Sequence, residues 1–219
     1  MLEVEIDPVF AARGVGVTLG LLTATLGEGD GDELAAALRE AARTAAAIAS
    51  DGAAGIPAIA ATRRAYKACG KDPSRYRPAA EALVRRALGA ETPPAVNTAV
   101  DVCNLVSFQT GVSCGVYART GLAPPLRLRL GTVDDTYTGI GRGPLNVAGL
   151  PVLADAVGPF GSPTSDSERT AVGAATRDIL FVAYGFDHPV DDALDLAGRA
   201  YARYAGARDR AVRQVGRAA

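Results

Sequence analysis

Gly158-Pro-Phe-Gly-Ser-Pro-Thr-Ser-Asp-Ser-Glu-Arg-Thr170 lies between two apolar runs that read as strands, Pro151-Val-Leu-Ala154 and Asp178-Ile-Leu-Phe-Val-Ala-Tyr184. Buried strands need a connection, but not one that concentrates hydroxyls, carboxylates and an arginine. Loops held by a rigid sheet tend to carry binding and catalytic groups. The same Gly, Pro, Ser and Asp also make an ordinary solvated turn, and composition leaves both readings open.

Outward from this loop the chain alternates strand-like and helix-like segments. Leu2-Glu-Val-Glu-Ile6 and Val15-Gly-Val-Thr-Leu-Gly-Leu-Leu22 read as strands. Asp32 is placed to cap a helix from Glu33 to Ala49 with Leu34, Leu38, Ala41, Ala45 and Ile48 on its inner face. A second helix runs from Ile56 to Cys69 and stops at Gly70, and a third opens at Pro78 with Leu83 and Leu88 inward. Thr92-Pro-Pro94 breaks the helix, and Asn97 caps the next, Thr98 to Thr110, which is apolar on too many sides to be exposed. Asp101 and Asn104 lie within that helix, where a polar group must be hydrogen-bonded or cost about a kcal/mol or more.

Strands then follow at Ser113 to Tyr117, Leu126 to Leu130 and Asp135 to Gly141. Val190 to Ala205 forms a last helix with Leu194, Ala197 and Tyr201 inward, and the Arg-rich tail is expected to fray. Gly139-Ile-Gly-Arg-Gly143 lacks the Lys-Ser/Thr and the following helix of a phosphate loop. The expectation is an α/β (α+β) fold of mixed sheets with helices outside, in a single unit over 1–219 that includes the first 50 residues.

Composition narrows the chemistry. With 48% apolar and 21% charged residues the chain reads as a folded soluble protein. No apolar run has the length of a membrane span, and Glu3, Glu5 and Asp7 stand where a signal peptide carries positive charge, so a cytoplasmic location is expected. Cys69, Cys103 and Cys114 show no metal-knuckle spacing and read as core residues. A single histidine, His188, excludes a histidine metal cluster, and no cofactor is expected.

A net charge of −1 argues against a wholly basic nucleic-acid binder, and no DNA partner is expected. The distribution is uneven, however. Arg63, Arg64, Lys67, Lys71, Arg75 and Arg77 gather in one segment, continued by Arg85 and Arg86. Such a stretch suits a phosphate backbone or a solvated helix face.

Three motifs in order carry a family resemblance: Arg64-Ala-Tyr-Lys-Ala-Cys-Gly-Lys-Asp-Pro-Ser-Arg-Tyr-Arg-Pro-Ala-Ala-Glu-Ala-Leu83, Asn97-Thr-Ala-Val-Asp-Val-Cys-Asn-Leu-Val106 and Asp166-Ser-Glu-Arg-Thr170. Together they resemble the B3/B4 domain of the phenylalanyl-tRNA synthetase beta subunit in a freestanding form, over roughly residues 60 to 205. In that family the domain houses an editing site that hydrolyses tyrosine mischarged onto phenylalanine tRNA. The resemblance implies aminoacylated tRNA and an amino acid as partners, with no aminoacylation by this chain. It implies a pocket lined by Asn97, Asp101, Asn104, Gly115, Ser167, Glu168 and Arg169, with Glu168 near the family's hydroxyl-reading glutamate. Gly115 stands where the family's editing histidine would be, so no catalytic residue is assigned, and a binding module without hydrolysis is the alternative. Arg63, Arg64, Lys67, Lys71, Arg75 and Arg77 are the expected RNA contacts. Arg169 has two readings: a pocket group, or an ion-pair partner of Glu168 or Asp166.

Overall fold

The computed structural model describes residues 2–89, 91 and 95–217. The break expected at Thr92-Pro-Pro94 lies outside the described residues. The elements in order are β1 (Val4–Ile6), α1 (Val9–Ala12), β2 (Val17–Thr25), α2 (Gly31–Ile48), α3 (Pro57–Ala68), α4 (Ala79–Leu88), α5 (Thr98–Thr110), β3 (Ser113–Ala118), β4 (Leu126–Leu130), β5 (Thr136–Gly139), β6 (Gly143–Asn146), β7 (Pro151–Ala154), β8 (Pro159–Gly161), β9 (Asp178–Phe186), α6 (Asp191–Ala205) and β10 (Arg208–Arg217).

One sheet, in the order β10-β2-β9-β3, is antiparallel and forms the middle layer. Alternation along its strands sends side chains to two cores. Leu22, Ala24, Ile179, Phe181, Ala183, Cys114 and Val116 face helices α2, α4, α5 and α6. Val17, Leu19, Leu21, Leu180, Val182, Tyr184, Phe186 and Tyr117 face the opposite way, into a core shared with the second sheet and α3. Burial on both faces explains why β2 and β9 read as continuous apolar runs. The second sheet has the order β1-β4-β7-β8, parallel only between β1 and β4, and β5 and β6 form a separate hairpin.

The expected mixture of helices and sheets is present, and several local expectations are corrected. Asp30, not Asp32, caps α2, its carboxylate accepting the Glu33 N–H at 2.9 Å, because only Asp30 has the extended backbone of an N-cap. Ile48 is 71% exposed, and Leu88 is also exposed while Ala80 and Val84 take the inner face of α4. The strand expected from Asp135 to Gly141 shortens to β5, since Gly141 takes positive φ in the turn to β6.

The largest correction is the tail. Instead of fraying, it forms β10, whose residues pair with β2 from Arg208 against Thr25 to Arg217 against Val17, with an irregularity after Arg208. Gln214 Nε2 donates to the Asp191 carboxylate at 2.6 Å, and Arg210 donates to the Gly198 carbonyl, both tying the strand to α6. Backbone pairing with a buried strand does not require apolar side chains on an edge, where charged residues also discourage further pairing.

Candidate functional site

The loop singled out in the sequence divides into two halves. After β8 the chain turns at Ser162, and the Ser162-to-Asp166 half is held from below by tyrosines of four elements. Tyr137 of β5 donates to the Ser165 carbonyl at 2.6 Å, and the hydroxyls of Tyr66 in α3 and Thr164 are 2.8 Å apart. Tyr117 of β3 donates to Asp166 Oδ1 at 2.8 Å, and its hydroxyl lies 2.6 Å from that of Tyr184 on β9. The Ser162 N–H approaches the same Asp166 oxygen at 3.4 Å. Burial pushes the phenols of Tyr66, Tyr117, Tyr137 and Tyr184 up, so they stay protonated as donors. Burial likewise pushes the Asp166 carboxyl up to about 7 against the opposing Tyr117 and Ser162 hydrogen bonds.

Position 115 takes its meaning from this cluster. Gly115 and Gly161 both face the Tyr117 hydroxyl, and a Cβ on either would overlap it. The slot that a side chain at 115 would fill is therefore filled by the Tyr117 ring, which is fully buried and packs edge-on against Phe160 at 5.0 Å. Gly115 itself offers a ligand only backbone.

The second half, Ser167 to Thr170, is a short 3-10 turn. Ser167 is buried, its hydroxyl accepting the Arg169 N–H at 3.2 Å. Glu168 is exposed, and its side chain makes no hydrogen bond among the described residues. Arg169 pairs with neither Glu168 nor Asp166 but with Asp155, through Nη1 at 3.0 Å and Nη2 at 2.9 Å, and also donates to the Gly121 carbonyl at 2.8 Å. The Asp155 side chain is sealed from solvent. Burial raises its carboxyl, but Arg169 and the backbone donors outweigh that and hold it low. The expected alternative partners lose because Asp155 presents both oxygens to the planar guanidinium.

Helix α5 reaches the far end of this turn. Asn97 caps the helix through its side-chain oxygen, which accepts the Val100 N–H at 3.0 Å, and its amide donates to the Val172 carbonyl at 3.1 Å. Asp101 accepts the Val96 N–H at 3.1 Å, while burial pushes its carboxyl up. Asn104 is half-buried, with no side-chain hydrogen bond among the described residues. The structure thus joins Asn97 to Val172, just past the central loop, and occupies Asn97, Asp101, Ser167 and Arg169 with protein partners, leaving Glu168 and Asn104 unspent among the described residues.

The cationic segment also divides. Buried Glu81 accepts Arg63 at 2.7 Å and lies 3.7 Å from Arg77, so these two are structural partners of α4. Arg64, Lys67, Lys71 and Arg75 have no carboxylate within 4.0 Å among the described residues. Lys71 and Arg75 lie over the Tyr76 ring at 5.1 and 5.6 Å. An open groove of about 740 Å³ lies elsewhere, lined by Leu26, Glu28, Arg177 and Arg208 among others, and includes none of the residues expected from sequence. Among the described residues no group of His, Cys, Asp and Glu is arranged to hold a metal, and no helix is long and apolar enough to cross a membrane.

Asp166 is the residue that sequence reasoning passed over. It stood inside a quoted motif, but the tyrosines that define its surroundings come from distant parts of the chain.

Three layers, with a polar loop anchored on the middle sheet and a cationic segment beside it, define the class: an α+β domain with a polar loop at the sheet. The B3/4 domain profile matches residues 61–215, well over half of the chain, and the chain belongs to that family. The match begins after β2, although β2 is an inner strand of the central sheet. Among solved structures, the chain is similar to an N-terminal fragment of the phenylalanyl-tRNA synthetase beta-subunit from Pyrococcus horikoshii, with a TM-score of 0.49 and 13% identity. The alignment covers 94% of this chain and 50% of that one, so the chain spans about half the length of the fragment. Comparison with the curated proteins gives no match.

Proposed function

We propose that the chain binds aminoacylated tRNA, with the cationic edge of α3 and the following turn on the RNA backbone and the central loop receiving the aminoacyl end. The 219 residues act as one unit in this reading, in the cytoplasm, with tRNA and its amino acid as partners. The observation that carries it is the split among the cations. Among the described residues Arg64, Lys67, Lys71 and Arg75 have no protein counter-charge within 4.0 Å, whereas Arg63 and Arg77 share Glu81. An unpaired cation is available to a phosphate and releases a counterion on contact.

Retention of charged and uncharged tRNA by the purified chain tests this reading. Tighter binding of the charged form is expected. Equal retention of both forms would remove the aminoacyl part of the proposal, and no retention of either would remove tRNA altogether.

Hydrolysis of a mischarged ester, with tyrosyl on phenylalanine tRNA as the first substrate, is a second reading. It is favoured by Glu168 and Asn104, which keep their side chains uncommitted among the described residues. A positioned water is enough for an aminoacyl ester if the groups around it are held. Loss of ester-linked tyrosine above the spontaneous rate, reduced in Glu168→Ala, is the expected result. No acceleration across a panel of charged tRNAs would leave binding alone.

A further inference from the structure

The enclosed carboxylates of this fold are mostly answered by cations or by several donors. Glu81 has Arg63, Asp135 has Arg129 and Asp155 has Arg169, whereas Asp101 has the Val96 N–H alone among the described residues. Asp166 also lacks a cation. No Lys or Arg lies within 4.0 Å of it among the described residues, and both of its donors, the Tyr117 hydroxyl and the Ser162 N–H, go to Oδ1. Oδ2 makes no hydrogen bond among the described residues, yet it is not among the solvent-sealed atoms left without a partner. Asp166 is half-buried. Among the described residues its second oxygen is therefore unpartnered and keeps some contact with solvent.

The titratable groups around this carboxylate are Tyr117 of β3, Tyr184 of β9, Tyr137 of β5 and Cys103 of α5, each of which senses the Asp166 charge. Arg142, at the tip of the β5–β6 hairpin, acts on Tyr137. The Ile140 N–H of the same tip donates to the Asp166 carbonyl at 3.0 Å, fixing the backbone beside the carboxylate. These neighbours are largely aromatic, and among the described residues no positive charge contacts the carboxylate.

We propose that Asp166 Oδ2 receives the α-ammonium group of the aminoacyl ligand. This rests on the reading that the chain takes an aminoacyl ligand, and it names the group that holds one end of it. A carboxylate taken out of water without a counter-charge is costly, and a bound ammonium supplies that charge. Tyrosine faces nearby add attraction for a cation. Tyr117 fixes Oδ1, so the free oxygen keeps one direction. A site built this way selects a free amine over an N-acylated one, because acylation removes the positive charge that answers the carboxylate. With the empty carboxyl titrating at about 7, binding of a cation draws its titration to lower pH and expels a proton. Affinity rises with pH up to neutrality and levels off above it.

Carbon NMR of the Asp166 carboxyl in the full chain tests this between about pH 5 and 9, a window wide enough to follow a group moved from neutrality. The titration is run alone, with each of three primary amines (methylammonium, isoamylamine and tyramine), and with N-acetyltyramine. At least one amine is expected to lower the Asp166 midpoint by about one pH unit and to bind about fivefold more weakly at pH 6 than at pH 8. N-acetyltyramine moves nothing, and Asp166→Asn, which keeps an acceptor for Tyr117, loses the pH dependence. An unchanged midpoint with all three amines, or an equal shift with N-acetyltyramine, overturns the proposal. If Asp166→Asn does not fold, the wild-type titrations decide alone. An unmoved midpoint in a chain that still retains charged tRNA rejects the ammonium site and spares the tRNA reading. A moved midpoint without tRNA retention does the reverse.

Discussion

The two halves of the central loop have similar compositions and different physical roles. Ser162 to Asp166 is bound through tyrosine hydroxyls to three elements of the fold directly and to a fourth, β9, through Tyr117. Ser167 to Thr170 is a local turn whose longest reach is the Arg169–Asp155 pair, and Glu168 on it is exposed. The first half is thus coupled to the cores on the middle sheet, whereas the second is free to meet a ligand without disturbing them. Adjacent polar residues in a sequence do not share an energetic role unless the fold gives them the same neighbours.

The difference is sharpest in its response to pH. A carboxyl titrating at about 7 when folded and near 3.8 when unfolded binds its proton more tightly in the folded chain. Its contribution to stability is fully present below about 3.8 and is lost as pH rises through about 7. Denaturant unfolding of wild type and Asp166→Asn at pH 5 and pH 8 is expected to show a difference on the order of 3 kcal/mol in this direction. Glu168→Gln is expected to leave the pH dependence unchanged. An identical pH response in Asp166→Asn and wild type would break the comparison at its root.

Packing around the first half comes next in size. Gly161→Ala places a methyl group against the Tyr117 hydroxyl and is expected to cost about 2 kcal/mol, as overpacking does. Tyr117→Phe relieves no crowding and removes the donor to Asp166, so a loss of about 1.5 kcal/mol is expected in the same unfolding measurement. The second half contributes least: Glu168→Ala is expected to change stability by no more than about 0.5 kcal/mol. A Glu168→Ala effect as large as that of Tyr117→Phe would show that the turn is a structural part of the loop.

What was legible in the sequence follows the same division between local and distant causes. The cap at Asn97, the stop at Gly70 and the opening at Pro78 depend on neighbours within a few residues, and the structure has all three. The apolar runs of β2, β7 and β9 were equally plain, because both faces of these strands are covered. The tail was not, since β10 owes its conformation to backbone pairing with β2, from the other end of the chain, and carries arginines on an exposed edge. For the site, the sequence marked the right loop and the right helix. It could not rank Asp166 above Glu168, because Tyr66, Tyr117, Tyr137 and Tyr184 converge only in three dimensions. Nor could it divide the basic segment, since nothing in the sequence says which of its arginines Glu81 claims.

That last division carries the proposed function, and the salt dependence of tRNA binding tests it most directly. The logarithm of the association constant is measured against the logarithm of salt concentration for wild type, for Lys71→Glu with Arg75→Glu, and for Arg63→Gln. Each phosphate contact contributes a slope of about −0.7 to −0.9, so the double reversal is expected to flatten the slope by about 1.5. Arg63→Gln is expected to keep the wild-type slope in whatever fraction remains folded. A double reversal with the wild-type slope, or an Arg63→Gln slope as flat as that of the double reversal, would contradict the assignment of the unpaired cations to RNA.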